Sequence, residues 1–252
     1  SYDEEIGCLG APDMIREIAR ELPEPQAVIV GEPTEMQVVT AHKSIFHFDT
    51  RITGREAHSS QPHRGVSAVM IAGRLINWLW EKQRECARRA PADSLFEPAH
   101  TSFHCGVVNG GTAHNIMAHH CQFVTDIRSV PGEPAQTYFD EYRRYALEEV
   151  LPQMRQICPD TNIEFEVNAR VPAYSAEEGD PGVQLVKQLT GQNTVTSVAY
   201  GAEAGQFQEA GFSVVMCGPG SIDQAHQPDE YISLDQVDRG VEFINRLIDH
   251  LS

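Results

Sequence analysis

Glutamates and a histidine in three short loops are the residues of this chain with chemistry to offer. Asp3-Glu4-Glu5 opens the sequence, and Gly31-Glu32-Pro33-Thr34 follows the apolar run Val28-Ile29-Val30. Near the C-terminus, the stretch from Gly218 to Glu230 carries His226 and follows the apolar run from Phe212 to Cys217. It is too rich in Gly and Pro to be helix or strand. Carboxylate and imidazole are hard-to-borderline ligands suited to zinc or a similar divalent ion. Adjacent residues of a regular strand face opposite ways, so Glu4 and Glu5 can serve one site only if the strand has ended there. Gly7 and Gly10 make that reasonable.

The elements around these loops are those of an α/β protein. An open α/β sheet builds its site outside the carboxyl ends of its strands, where Glu32 and His226 fall. A helical period over Ala11 to Leu22 is stopped by Pro23 and Pro25, and the continuous apolar run Ala27 to Val30 predicts a buried strand of a mostly parallel sheet. From residue 39 the pattern changes. Ser44 to Thr53 alternates, a long helix is predicted from Val66 to about Cys86, and strands at Ser102–Val108 and His119–Val130 flank Asn109-Gly110-Gly111-Thr112. A helix at about Pro134–Gln156 and a strand at Asn162–Val167 complete a βαββαβ, split βαβ order. Helix, strand, helix and strand then return, and an amphipathic helix, Asp235 to Leu251, closes the chain with Val237, Val241, Ile244, Leu247, Ile248 and Leu251 on its apolar side. The expected organisation is an α/β domain in two segments, 1–38 and 169–252, interrupted by an insert at 39–168. The helix beginning at Val66 is apolar nearly all round, so one of its faces is expected to meet a second subunit.

Composition narrows the class. A formal net charge of −17 argues against a nucleic-acid binder and against an anionic membrane as partner. The stretch Val66–Trp80 is interrupted by Arg74 and Asn77 and falls short of the ~20 residues a membrane span needs. The 6 cysteines are scattered without a CxxC pair, which predicts reduced thiols and a cytoplasmic protein with no signal peptide.

Five motifs in order, Asp3-Glu4-Glu5-Ile6-Gly7, Gly31-Glu32-Pro33-Thr34, Gly54-Arg55-Glu56-Ala57-His58, Asn109-Gly110-Gly111-Thr112-Ala113-His114-Asn115 and Ala225-His226-Gln227-Pro228-Asp229-Glu230, resemble the acetylornithine deacetylase / succinyl-diaminopimelate desuccinylase / aminoacylase family of zinc amidohydrolases. The stretches Tyr2–Gly10 and Gly218–Ile222 most resemble its acetylornithine deacetylase branch. The resemblance implies a zinc-peptidase-like catalytic domain interrupted by a ferredoxin-like dimerisation or lid domain, and a homodimer formed through that insert. It implies hydrolysis of a small N-acyl amino acid, foremost N-acetylornithine to ornithine and acetate in arginine biosynthesis. It also implies two zinc ions, with cobalt as an alternative metal.

By the same resemblance Glu4 is the general base, Glu5 and His226 ligate one metal, and Glu32 ligates the other. His58 stabilises the oxyanion in the site of a neighbouring subunit, Asn115 contacts a carbonyl or oxyanion, and Arg128 clamps the substrate carboxylate. Arg128 has the alternative of a strand-surface salt bridge. Glu203 is assigned to a cationic substrate side chain, against the alternative of a helix-start carboxylate stabilised by the dipole. Asp229 and Glu230 are expected to shape their loop. His47-Phe48-Asp49 spells the family's H-x-D metal motif but lies on an alternating strand after Glu32, and is expected to be structural.

The family's own H-x-D and its bridging Asp lie upstream of the Asp-Glu-Glu motif, and no stretch of this sequence supplies them. The expectation is a truncated catalytic domain with its N-terminal part missing, an incomplete di-zinc centre and impaired catalysis. A desuccinylase, an aminoacylase or a carboxypeptidase-like relative is the nearest alternative activity. A non-catalytic dimerisation and substrate-binding module is the alternative of another class.

Overall fold

The computed structural model describes residues 1–252, which form two compact units. The first comprises residues 1–44, 95–97 and 171–252, and the second residues 45–94 and 98–170. In chain order, a 3-10 turn over Glu4–Ile6 precedes α1 (Ala11–Glu21), β1 (Val28–Val30) and β2 (Val39–His42). Next come β3 (Ile45–Thr53), α2 (Ala68–Arg88), β4 (Ser102–Gly110), β5 (His120–Arg128), α3 (Ala135–Arg144), a π-helical turn (Tyr145–Val150), α4 (Leu151–Ile157) and β6 (Asn162–Val171). The chain ends with β7 (Tyr174–Ser175), α5 (Pro181–Thr190), β8 (Thr196–Val198), α6 (Ala204–Glu209), β9 (Val214–Met216) and α7 (Leu234–Leu251).

In the first unit β1 and β9 run parallel, with Val28 opposite Val214 and Val30 opposite Met216. β2 pairs parallel with β8 but antiparallel with β7 and β9. The sheet is therefore mixed where the apolar runs predict mostly parallel strands. A continuous apolar run reports burial on both faces and is silent on strand direction. β2, which the sequence pattern assigns to the insert, is buried throughout and belongs to this sheet. Met36, Val38, Val183, Val186, Leu189, Val215 and Phe243 form the core beside it.

The closing helix α7 turns a different side inward from the one its pattern predicts. Phe243 is buried and Leu247 packs beside it, whereas Val237, Val241, Ile244, Ile248 and Leu251 are exposed. The apolar side of this helix takes up about half of its circumference, and only its Phe243–Leu247 margin meets the core. No helix is long and apolar enough to cross a membrane.

The second unit has the βαββαβ order, and its four strands line up as β4-β5-β3-β6. β3 and β5 are antiparallel, with Phe46 opposite Ile127, Phe48 opposite Thr125, Thr50 opposite Phe123 and Ile52 opposite Cys121. Period-2 alternation puts these residues on one face, where they bury against Leu75, Leu79, Tyr138, Phe139 and Tyr142. Phe48 and Phe139 meet at 4.9 Å between ring centroids, and Tyr142 shares a 3.0 Å hydrogen bond with Thr50. Each such ring contributes about 2–3 kcal/mol by burial.

The other face is polar and accounts for His47-Phe48-Asp49. His47 Nε2 lies 3.0 Å from Asp126 Oδ1, while Asp49 accepts hydrogen bonds from Gln122 at 2.9 Å, Asn168 at 3.2 Å and Arg51 at 3.2 Å. Burial pushes the Asp126 carboxyl up, but His47 and Arg128 outweigh it and hold the group below the usual Asp range. The predicted helix over about 134–156 is present and contains the π-helical turn. Pro152 has no N–H to give one turn back, and the widened turn before it absorbs the loss.

Candidate active site

The first unit gathers its carboxylates where β1 and β9 end. Both strands are parallel neighbours, so Gly31-Glu32 and Cys217-Gly218 leave the sheet side by side. The two loops are then stitched together. Thr34 N donates to Gly218 O at 3.2 Å, Glu35 N to Gly220 O at 2.7 Å, and Gly218 N to Thr34 Oγ1 at 3.1 Å. A side chain at position 218 would place its Cβ 2.5 Å from Glu32 O and from the Gly31 carbonyl, so only glycine fits there.

The loop after Gly218 folds back so that His226 Nδ1 lies 3.8 Å from Glu5 Oε2. His226 holds φ at 57°, a left-handed conformation that β-carbon sterics disfavour, and Glu230 fixes it by accepting the His226 N–H at 2.8 Å. Glu230 is thus a loop-shaping residue. Asp3 and Cys8 are also left-handed, with φ of 55° and 54°, and bracket the 3-10 turn over Glu4–Ile6. Strained backbone of this kind clusters where geometry serves a site.

Glu32 is half-buried, and its carboxyl is raised to about 7. Burial is the main cause, and the charges of Glu4, Glu203 and Glu5 add to it in that order. Four carboxylates therefore act on one another in this loop cluster. Tyr200, which donates to Pro33 O at 3.4 Å, is pushed above the usual phenol range by burial and by Glu32. Cys8 is fully buried beneath the cluster; its thiol donates to Glu4 Oε1 at 3.5 Å and is pushed up to about 12, first by burial and then by Glu4. Sequence reading passed over Cys8 and Tyr200 as site neighbours. Cys8 stands directly after the Asp-Glu-Glu-Ile-Gly motif, and that position was the available signal.

Glu203 begins α6 and is buried, with the backbone nitrogen of Ser1 2.5 Å from its Oε1. The structure thus brings Glu4, Glu5, Glu32, Glu203 and His226 together in one unit.

The remaining candidates lie in the second unit. His58 forms an isolated β-bridge with Ile116, and Ser59 N donates to Asn115 O at 2.9 Å, so His58 and Asn115 share one loop pair. Ser60 N donates to His58 Nδ1 at 3.2 Å, and Ser60 Oγ lies 2.8 Å from the same nitrogen. With Nδ1 accepting, a neutral His58 carries its proton on Nε2 and presents a donor from an exposed ring. Arg128, at the end of β5, donates through Nε to Asp126 Oδ2 at 2.9 Å. That is the salt bridge of its alternative reading, and it occupies one edge of the guanidinium.

Residues 40–154 match the model of the peptidase dimerisation domain, M20_dimer. The chain carries an M20 peptidase dimerisation domain. The likeness read from the five motifs holds over nearly all of the sequence. An acetylornithine deacetylase of Myxococcus xanthus is 31% identical over 252 residues, covering 98% of this chain and 63% of the relative. One from Yersinia pseudotuberculosis is 34% identical over 226 residues, covering 90% of this chain and 56% of the relative. The chain thus spans roughly three-fifths of the length of these relatives. Among solved structures, an M20 family metallo-carboxypeptidase from Sulfolobus solfataricus matches with a TM-score of 0.74 at 16% identity, covering 98% of this chain and 68% of that one. A Bacillus subtilis protein described as a dinuclear metal binding peptidase from the M20 family matches with a TM-score of 0.63 at 16% identity, covering 97% of this chain and 62% of that one. At such identities the likeness is one of fold.

The strand-end loops carry donors suited to a divalent cation. A half-buried carboxylate among three others is destabilised unless a proton or a cation joins it, and Glu5 already lies beside an imidazole. Among the described residues no group of three or more His, Cys, Asp or Glu side chains reaches metal-holding geometry. The donors fit a divalent ion in type, and the pair Glu5–His226 is the part of the set already in proximity.

Proposed function

We propose that the protein hydrolyses the amide bond of a small N-acyl amino acid, foremost N-acetylornithine to ornithine and acetate, in the biosynthesis of arginine. The observation that carries this reading is the approach of Glu5 and His226, from opposite ends of the chain, to 3.8 Å at the strand-end loops. The names of the relatives support the reaction type and the substrate.

Glu5 and His226 would hold one divalent ion and Glu32 would take part in holding a second, zinc by preference and cobalt as the alternative. Bound metal would supply Lewis acidity to polarise the acyl carbonyl. Glu4, tethered by the Cys8 thiol, takes the proton of the attacking water and returns it to the leaving nitrogen. His58 of a neighbouring subunit would donate its Nε2–H to the developing oxyanion, and Asn115 would add a carbonyl or oxyanion contact. Arg128 takes the substrate carboxylate through the edge of its guanidinium that Asp126 leaves open. Glu203 recognises the substrate's far end.

We further propose a cytoplasmic homodimer assembled through the M20 dimerisation domain. Exposed Val69, Met70 and Trp80 on α2, and Val107 and Val108 on the edge strand β4, support an apolar contact there, and the 6 free cysteines fit a reducing compartment.

Titration with zinc chloride, followed calorimetrically, tests the site. Glu5→Gln and His226→Ala should each weaken zinc binding at least about tenfold, the cost of losing one ligand. Amine release from N-acetylornithine in the presence of zinc should disappear in Glu4→Gln. Zinc affinity indifferent to both ligand substitutions would sink the proposal.

A further inference from the structure

Arg128 ends β5 on the polar face of the second unit's sheet, and its guanidinium is held from one edge only. Nε donates to Asp126 Oδ2 at 2.9 Å, while Nη1 and Nη2 make no hydrogen bond or ion pair within the chain. An unrestrained arginine loses rotamer freedom when a ligand fixes it. The contact to Asp126 imposes that loss beforehand and leaves the two Nη groups side by side.

Asp126 is held in its turn. The β3–β5 register sets His47 opposite Asp126, and His47 Nε2 lies 3.0 Å from the second carboxylate oxygen, Oδ1. That oxygen is shut off from solvent, so the imidazole is the polar neighbour that fixes how the carboxylate is turned. His47, Asp126 and Arg128 thus form a row across two neighbouring strands, and the row ends in the open edge of the guanidinium. By charge alone Asp126 works against an anionic ligand, because a carboxylate 2.9 Å from a guanidinium weakens its pull on a second anion. By orientation it favours one. The two effects have opposite signs and can be told apart.

We propose that Asp126 and His47 are positioning residues for an anion clamp, Asp126 fixing the plane of the Arg128 guanidinium and His47 fixing Asp126. The Nη1–Nη2 edge then presents two parallel N–H groups to a planar carboxylate. Neither Asp126 nor His47 touches the ligand. The proposal rests on the hydrolase reading for the identity of that carboxylate as the one of an N-acyl amino acid.

Affinities for Nα-acetyl-L-ornithine and for its carboxamide, Nα-acetyl-L-ornithinamide, are measured by ligand-observed NMR on the full chain without metal. Their ratio reports the carboxylate contact. The unaltered chain should favour the acid at least about tenfold, as a bidentate charge-assisted pair does. Arg128→Leu should bring the ratio to within about twofold, and Asp126→Ala to within about threefold. Asp126→Asn keeps an oxygen for the Nε–H and removes the opposing charge, so it should hold the ratio at the original value or above it. His47→Leu should lower the ratio at least about twofold, and His47→Gln, whose amide N–H can still face Oδ1, should restore it. Circular dichroism melting confirms that each variant is folded, and the His47 pair keeps the proposal testable should Asp126→Ala not fold.

A ratio undiminished in folded Asp126→Ala, or in His47→Leu, would overturn the positioning role and leave the reading of Arg128 standing. The same holds for a lowered melting midpoint with an unchanged ratio, which is what a merely structural row would give. Equal loss in Asp126→Ala and Asp126→Asn would overturn the role of the Nε contact. A ratio near one in the unaltered chain, or one that survives in Arg128→Leu, would remove the carboxylate assignment of Arg128 and the proposal with it.

Discussion

Acidification should destabilise the first unit through one buried histidine. His42, at the end of β2, is 0% exposed. Its Nδ1 lies 2.8 Å from Lys43 O, and its Nε2 accepts the Gly205 N–H at 3.2 Å. Only a neutral ring with its proton on Nδ1 satisfies both contacts, since a protonated Nε2 would point its hydrogen at that of Gly205. Burial is the principal cause that lowers its pKa from 6.5 to about 4, and the bond to Lys43 O opposes the fall only in part.

The folded pKa lies below the unfolded one, so between pH 6.5 and about 4 the unfolded chain binds a proton that the folded chain refuses. The stabilisation is complete above pH 6.5, falls as the pH drops through this window and is gone near pH 4. At about 1.4 kcal/mol per pH unit the loss amounts to about 3 kcal/mol. Urea unfolding at pH 7, 6, 5 and 4 should be compared with that of His42→Gln, whose side-chain carbonyl can still accept from Gly205 but does not titrate. Carboxylate contributions common to both chains cancel in the difference. Wild-type and variant curves that stay parallel to within about 0.5 kcal/mol from pH 7 to 4 would refute the reasoning.

Gly218→Ala should lower the thermal midpoint of the first unit by several degrees, because the added Cβ meets Gly31 and Glu32 backbone at 2.5 Å and the strand-end loops must part; circular dichroism melting checks it. Phe48→Ala should cost the second unit about 3–5 kcal/mol by emptying a fully buried site packed on Phe139 and Tyr142, as read from urea midpoints. Met70→Glu, on an exposed apolar part of α2, should leave folding intact and shift a dimer to a monomer in light scattering. Zinc analysis of the purified chain should find fewer than two tightly held ions per subunit, since Glu5 and His226 offer two ligands to one ion and Glu32 one to the other, short of the three a zinc site normally takes.

Much of the local structure was legible because it follows from short-range periods. The alternation of Phe46, Phe48, Thr50 and Ile52 against His47, Asp49 and Arg51 is the division between the buried and polar faces of β3. Pro12 and the Pro23–Pro25 break bracket α1, and the βαββαβ order of the second unit could be counted off the chain. His47-Phe48-Asp49 was separable from a metal motif for the same reason, because its two polar residues share the polar face of an alternating strand. α7 was less legible. Its single broad apolar side does not say which part is covered, and the Phe243 margin rather than the Val241–Ile244–Ile248 part meets the core.

The sequence alone determined the inventory of donors, namely which loops carry Glu4, Glu5, Glu32, Glu203 and His226, and that glycines break the chain beside them. It also determined the family likeness those motifs express. Only the tertiary structure decided that Glu5 and His226 stand 3.8 Å apart, that Glu32 feels three other carboxylates, that β2 runs antiparallel to β9, and that Cys8 lies beneath Glu4. Periodicity records whether a residue is buried and on which side of its own element. Distances between loops from opposite ends of a chain depend on which strands become neighbours and in what register, and that is settled by packing across the whole sheet.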